Sequence, residues 1–107
     1  MKNLLVMKFG GTSVGSAARM RVSAGLAAAQ QKNRPVAIVV SAMSQVTDLL
    51  LETMRHAESG NRGGMESNLA RLRQRHEEAC RELLPAADQG AVLAQLHDVI
   101  EIGRAHV

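Results

Sequence analysis

Two short, unbroken apolar runs constrain this chain more than anything else in it. Leu4-Leu5-Val6-Met7 ends in Lys8-Phe9-Gly10-Gly11, and Val36-Ala37-Ile38-Val39-Val40 is introduced by Pro35 and ended by Ser41. A run without polar alternation suits a strand covered on both faces, as in a parallel sheet. Between the runs, Ala18, Val22, Gly25, Leu26 and Ala29 fall on one narrow arc at helical period, behind candidate N-caps at Ser13 and Ser16. Strand, helix, strand is therefore expected near residues 3–9, 16–32 and 36–41. With a helix as crossover, the strands should lie parallel.

Downstream, Val46, Leu49, Leu50, Thr53, Met54 and Ala57 form a second helical stripe, closed near Gly60. Ser59 to Gly64 reads as the clearest loop. Leu69, Leu72, His76, Ala79, Cys80 and Leu83 mark a third helix ended by Pro85, and Asp88 is placed to cap a fourth carrying Val92, Leu93, Leu96, Val99 and Ile100. Two strands cannot cover the apolar sides of four helices in the usual layers, so the pattern reads as the front of a larger α/β domain.

Composition removes several function classes. The 107 residues hold one aromatic side chain, Phe9, so base stacking on nucleic acid is nearly excluded. The formal charge is +3, and the basic excess lies in residues 1–60, spread over Lys2, Lys8, Arg19, Arg21, Lys32, Arg34 and Arg55 without a basic block, which also argues against nucleic acid. The lone Cys80 makes neither an internal disulfide nor a zinc site, and reads as a small core residue. With no bilayer-length apolar run and no signal-peptide pattern, no membrane association and a cytoplasmic location are expected. Arg71, Arg73 and Arg75 read as a solvated helix face, and His76, without a ligand-spaced partner, as a packed or edge histidine. No metal ligands are assigned.

The chemistry is concentrated in Lys8-Phe9-Gly10-Gly11-Thr12-Ser13-Val14-Gly15-Ser16. Adjacent glycines between a strand and a helix let the backbone approach a bulky anion, and free N–H groups at the helix start favour phosphate. Gly10 and Gly15 have the spacing of the common phosphate-binding loop, but Ser16-Ala17 stands where Lys-Ser/Thr would be required. The cation precedes the glycines instead: Lys8, at the end of the strand, can neutralise charge on a transferring phosphoryl group. A plain tight turn with an exposed lysine is the bland alternative. Ser41 has a similar alternative as a capping or turn residue, and Thr47 as a helix-start hydroxyl that satisfies backbone.

KFGGTSV resembles the N-terminal signature of the aspartate kinases, and VVSAMSQVTDLL resembles their second conserved segment. The resemblance covers residues 3 to about 100. It implies the amino-acid kinase fold, an αβα sandwich around a mainly parallel sheet, of which only the N-terminal portion is present. It implies ATP-dependent phosphorylation of the L-aspartate side chain to 4-phospho-L-aspartate, with ATP and Mg2+ as a substrate complex and a homo-oligomeric intact enzyme. Lys8 would stabilise the transferring group, Gly10 and Gly11 would hold phosphate oxygens, Thr12 and Ser13 would complete that loop, and Ser41 and Thr47 would contact aspartate. The family's later Gly-Glu segment, purine-binding region and regulatory domains are not found in residues 1–107, so the chain alone is expected to be inactive. Another amino-acid kinase, such as a glutamate 5-kinase, and a non-catalytic interaction module are the alternatives.

Residues 101–107, Glu-Ile-Gly-Arg-Ala-His-Val, match the translation of a string that resembles a common short-read sequencing adapter. Residues 1–101 are accordingly expected to be the fragment of the kinase domain, and 102–107 a non-native tail.

Overall fold

The computed structural model describes residues 3–105, with six elements in the order β1 (Leu5–Phe9), α1 (Ala17–Gln31), β2 (Val36–Val40), α2 (Val46–Glu58), α3 (Arg62–Leu83) and α4 (Ala86–Ala105). It divides into two compact units, residues 1–44 and 45–107. Of the expected tail, residues 102–105 continue α4, whereas 106 and 107 lie outside the described residues.

In the first unit, β1 and β2 pair in parallel, from Leu5 opposite Val36 to Phe9 opposite Val40, as the crossover argument requires. The Leu5 N–H donates to the Pro35 carbonyl at 2.9 Å and the Ser41 N–H to the Phe9 carbonyl at 3.0 Å, so the ladder extends one bond beyond each end. Leu5, Met7 and Phe9 share the half-buried face of β1, and Val6 and Lys8 the exposed one. Ile38, Val39 and Val40 are each at least half exposed, which covers both faces of β2. The expected two-sided cover is therefore absent among the described residues, where α1 is the only helix of this unit.

That helix presents a different side from the one its periodicity suggested. Ala17, Ser23 and Ala27 are buried, whereas Ala18, Val22, Gly25, Leu26 and Ala29 are exposed. Small side chains let the helix approach closely, and the larger arc of Val22 and Leu26 is left uncovered in this unit. Ser16 caps α1 by accepting from the Arg19 N–H at 3.3 Å.

The second unit is three helices joined by short connections. The α2 C-terminus is closed by Gly60 at φ 74°, with the Gly60 N–H donating to Ala57 O at 3.2 Å and the Asn61 N–H to His56 O at 2.8 Å. The loop expected through Gly64 stops at Asn61. Its side chain accepts from the Gly64 N–H at 2.9 Å, and this cap draws Arg62, Gly63 and Gly64 into the first turn of α3 despite two glycines. Similarly, α4 starts at Ala86, directly after Pro85, with Asp88 inside the first turn where a carboxylate complements the helix dipole. Leu69, Leu72, Cys80 and Ile100 are buried between these helices, so Cys80 has the core role expected of it.

The arginine row is not wholly a solvated face. Arg73 Nη2 donates to Glu101 Oε1 at 2.8 Å, tying α3 to α4. His76 lies half-buried with Nδ1 2.8 Å from the Leu72 carbonyl, a packed histidine in its own helix. No helix among the described residues is long and apolar enough to cross a membrane.

Candidate active site at the glycine turn

The turn from Gly10 to Ser16 leaves the carboxyl end of β1 and enters α1, where ligands of open α/β sheets collect. Its backbone folds on itself: the Ser13 and Val14 N–H groups both donate to Gly10 O, at 3.0 and 3.3 Å, and Gly15 N–H to Thr12 O at 3.4 Å. Val14 is buried and pins the middle of the turn. Among the described residues, the N–H groups of Gly10, Gly11 and Thr12 have no acceptor. Three successive unpaired amides before a helix N-terminus are available to an anion.

The space around the turn differs from glycine to glycine. A Cβ at Gly10 would meet nothing within 4 Å, so this position is open on its side-chain side. A Cβ at Gly11 would sit 3.5 Å from the Ala42 carbonyl and 3.9 Å from Ser41 Oγ, in ordinary contact. At Gly15 it would lie 2.5 Å from Ser44 Oγ and 2.9 Å from the Gly11 carbonyl, which no side chain tolerates without displacement. The segment after β2 thus lies against the glycine turn, and Ser44 Oγ donates to the Gly11 carbonyl at 3.3 Å.

Lys8 stands on the exposed face of β1, in register with Val39, and has no carboxylate partner among the described residues. An ammonium without an internal counter-ion remains free for an anionic ligand. Thr12 is exposed and Ser13 half-buried, and neither hydroxyl has a partner among the described residues. Ser41 is also exposed. Its N–H completes the sheet ladder, and its hydroxyl has no bonding partner among the described residues. The structure thus brings Gly10, Gly11, Thr12, Ser13 and Ser41 together in one unit, with Lys8 at the end of the same strand.

Thr47 belongs to the other unit, in the first turn of α2, exposed and with its hydroxyl unbonded. The residue that starts this helix is unusual. Gln45 is the N-cap, with φ 69° and no side-chain capping bond, and is the only non-glycine residue at positive φ among those described. Left-handed backbone at a residue with a Cβ is strained, and such strain concentrates at functional segments. Neither Gln45 nor Ser44 carried a signal in the sequence, because a strained backbone and a hydroxyl-to-carbonyl bond across 33 residues leave no periodicity. No group of three or more His, Cys, Asp or Glu able to hold a metal ion occurs among the described residues.

The model of the amino acid kinase family matches residues 3–105. The chain is 37% identical over 95 residues to the chloroplastic bifunctional aspartokinase/homoserine dehydrogenase 2 of Arabidopsis thaliana, covering 89% of this chain and 10% of the relative. It is 42% identical over 79 residues to the aspartokinase of Chlamydia trachomatis, covering 74% of this chain and 17% of that protein. Against aspartokinase 2 of Bacillus subtilis it is 51% identical over 49 residues, covering 45% and 12%. The chain thus spans about a tenth to a sixth of the length of these relatives. With a parallel β1–α1–β2 unit and a family match over every described residue, the chain belongs to the amino acid kinase family.

Proposed function

We propose that this chain supplies the phosphate-binding and part of the aspartate-binding elements of an aspartate kinase, which transfers the γ-phosphoryl group of ATP to the L-aspartate side chain. The observation that carries the reading is the triplet of unpaired amides at Gly10, Gly11 and Thr12 following the unpaired Lys8. Support for aspartate as acceptor comes from relatives that are named aspartokinases.

In this reaction a carboxylate oxygen of aspartate forms a bond to the γ-phosphorus while the bond from that phosphorus to the β,γ-bridging oxygen breaks, releasing ADP. A carboxylate is already a nucleophile and needs no general base, so the protein's task is positioning and charge neutralisation. The turn amides hold phosphate oxygens, with Thr12 and Ser13 hydroxyls at its rim. Lys8 offsets the charge that builds during transfer. Ser41 and Thr47 hydroxyls each contact the aspartate. Mg2+ enters with ATP as part of the substrate complex. A cytoplasmic setting and a homo-oligomeric intact enzyme belong to the same proposal; the plant relatives are named chloroplastic, so cell fractionation decides the first.

The test places residues 3–100 in the corresponding position of an active full-length aspartokinase. Lys8→Ala should lower kcat about a hundredfold or more, because a preorganised electrostatic contact contributes roughly 3 kcal/mol to the barrier. Thr47→Ala should raise the KM for aspartate more than that for ATP. Near-wild-type turnover of the Lys8 variant would remove the central residue of this mechanism, and phosphorylation of glutamate in place of aspartate would move the acceptor assignment to a glutamate kinase.

A further inference from the structure

The first four carbonyls of the glycine turn, Gly10 to Ser13, are all engaged from within the protein. Gly10 O accepts from two amides, Thr12 O from Gly15 N–H, and Gly11 O from Ser44 Oγ. The fourth, Ser13 O, accepts from the Ser23 hydroxyl at 2.8 Å, the shortest bond of the set. Ser23 lies in the second turn of α1, ten residues away, and is 7% exposed, on the same buried side as Ala17 and Ala27. A buried hydroxyl among alanines is unfavourable unless it is bonded.

The direction of the bond is informative. A serine or threonine inside a helix ordinarily bonds back to the carbonyl four residues earlier, as Thr53 does to Leu49 O at 2.6 Å. Ser23 instead leaves its own helix and reaches the turn. Fixing Ser13 O fixes the peptide plane between Ser13 and Val14, and with it the end of the turn that begins at Gly10.

We propose that Ser23 is a positioning residue for phosphate: its buried hydroxyl clamps the Ser13 carbonyl, holding the turn in the shape that leaves the Gly10, Gly11 and Thr12 amides unpaired. This role rests on the reading of the turn as a phosphate site. Ser23 touches no substrate; it acts through the backbone. Without it, Ser13 O loses its donor, the peptide plane is held only through the Val14 N–H bond to Gly10 O, and the turn is less firmly set before ligand arrives.

The experiment titrates the 107-residue chain with inorganic tripolyphosphate, following the Gly10, Gly11 and Thr12 amide resonances. Ser23→Ala should weaken binding about tenfold, the loss of one buried hydrogen bond expressed as affinity. Ser23→Cys keeps the packing but offers a weak donor, and should also bind several-fold more weakly, so the test survives if the alanine variant does not fold. Thr53→Val removes an equally buried hydroxyl from the other unit; it should lower stability and leave tripolyphosphate affinity unchanged, which separates positioning from general destabilisation. Wild-type affinity in the folded Ser23→Ala or Ser23→Cys chain would overturn the positioning role and leave the phosphate site standing. Failure of the wild-type chain itself to bind would overturn this role, whereas the phosphate reading is decided by the Lys8→Ala kinetics in the full-length enzyme.

Discussion

Gly15→Ala is the most direct probe of how the two segments of the first unit meet. Gly15 is not at positive φ, so alanine suffers no backbone penalty there, and the substitution would gain about 0.4–1 kcal/mol by restricting the unfolded chain. Against this, the new methyl would sit 2.5 Å from Ser44 Oγ and 2.9 Å from Gly11 O. The serine hydroxyl can rotate away, but the carbonyl is backbone and moves only with the turn. Overpacking of this kind costs about 1–3 kcal/mol, and because the contact is with backbone as well as side chain the middle of that range applies, so the net loss should be on the order of 1 kcal/mol. Urea unfolding followed by far-UV circular dichroism suits a chain without Trp or Tyr, and the midpoint should fall by about 1 M. Adding Ser44→Ala should recover part of that, because the carbonyl contact remains. An alanine variant as stable as the parent, or one fully restored by Ser44→Ala, would refute the argument that the Gly11 carbonyl sets the limit.

Other outcomes follow from the second unit. Gln45→Gly should stabilise by about 0.5–1 kcal/mol, since relief of left-handed strain exceeds the entropic cost of glycine; calorimetry of both chains checks it. Asn61→Ala should cost about 1 kcal/mol and speed hydrogen exchange at the Gly64 amide, which loses its cap. The Glu52 carboxyl is held below its ordinary value of 4.5, first by the Asn68 amide, then by its bond to His56, with Arg71 adding a smaller pull. A lowered carboxyl pKa contributes stability that is present above pH 4.5 and lost as pH falls through the folded-state value. Asn68→Ala should move the Glu52 titration, read by carboxyl NMR, back towards 4.5.

The order of elements was legible because it follows from apolar runs and from punctuation. Pro35, Gly60 and Pro85 stand where strands and helices begin or end, and such residues act locally. The glycine turn was legible for a similar reason, since Lys8 and Gly10-Gly11 are contiguous. Periodicity located α1 but not the side it buries within this unit, where Ala17, Ser23 and Ala27 are covered and the Val22–Leu26 arc is exposed. It also misplaced the start of α3, where one asparagine cap outweighed two glycines. Ser23 was invisible as a site residue: nothing in a sequence distinguishes a serine bonded within its helix from one that reaches a turn ten residues away.

The long crossover between Leu5 and Val36 has a kinetic consequence. Parallel pairing here requires closure of a loop of about thirty residues, whereas α2 and α3 meet across a connection of three. The helical hairpin should therefore gain structure first, and the strand pair last. Because the Ser41 amide bonds to Phe9 O only once that pair has closed, the glycine turn acquires its second wall at the end of the reaction. Pulse-labelled hydrogen exchange should find the Ser41 amide among the last to be protected, and a polyphosphate that needs the finished turn should slow unfolding without accelerating refolding.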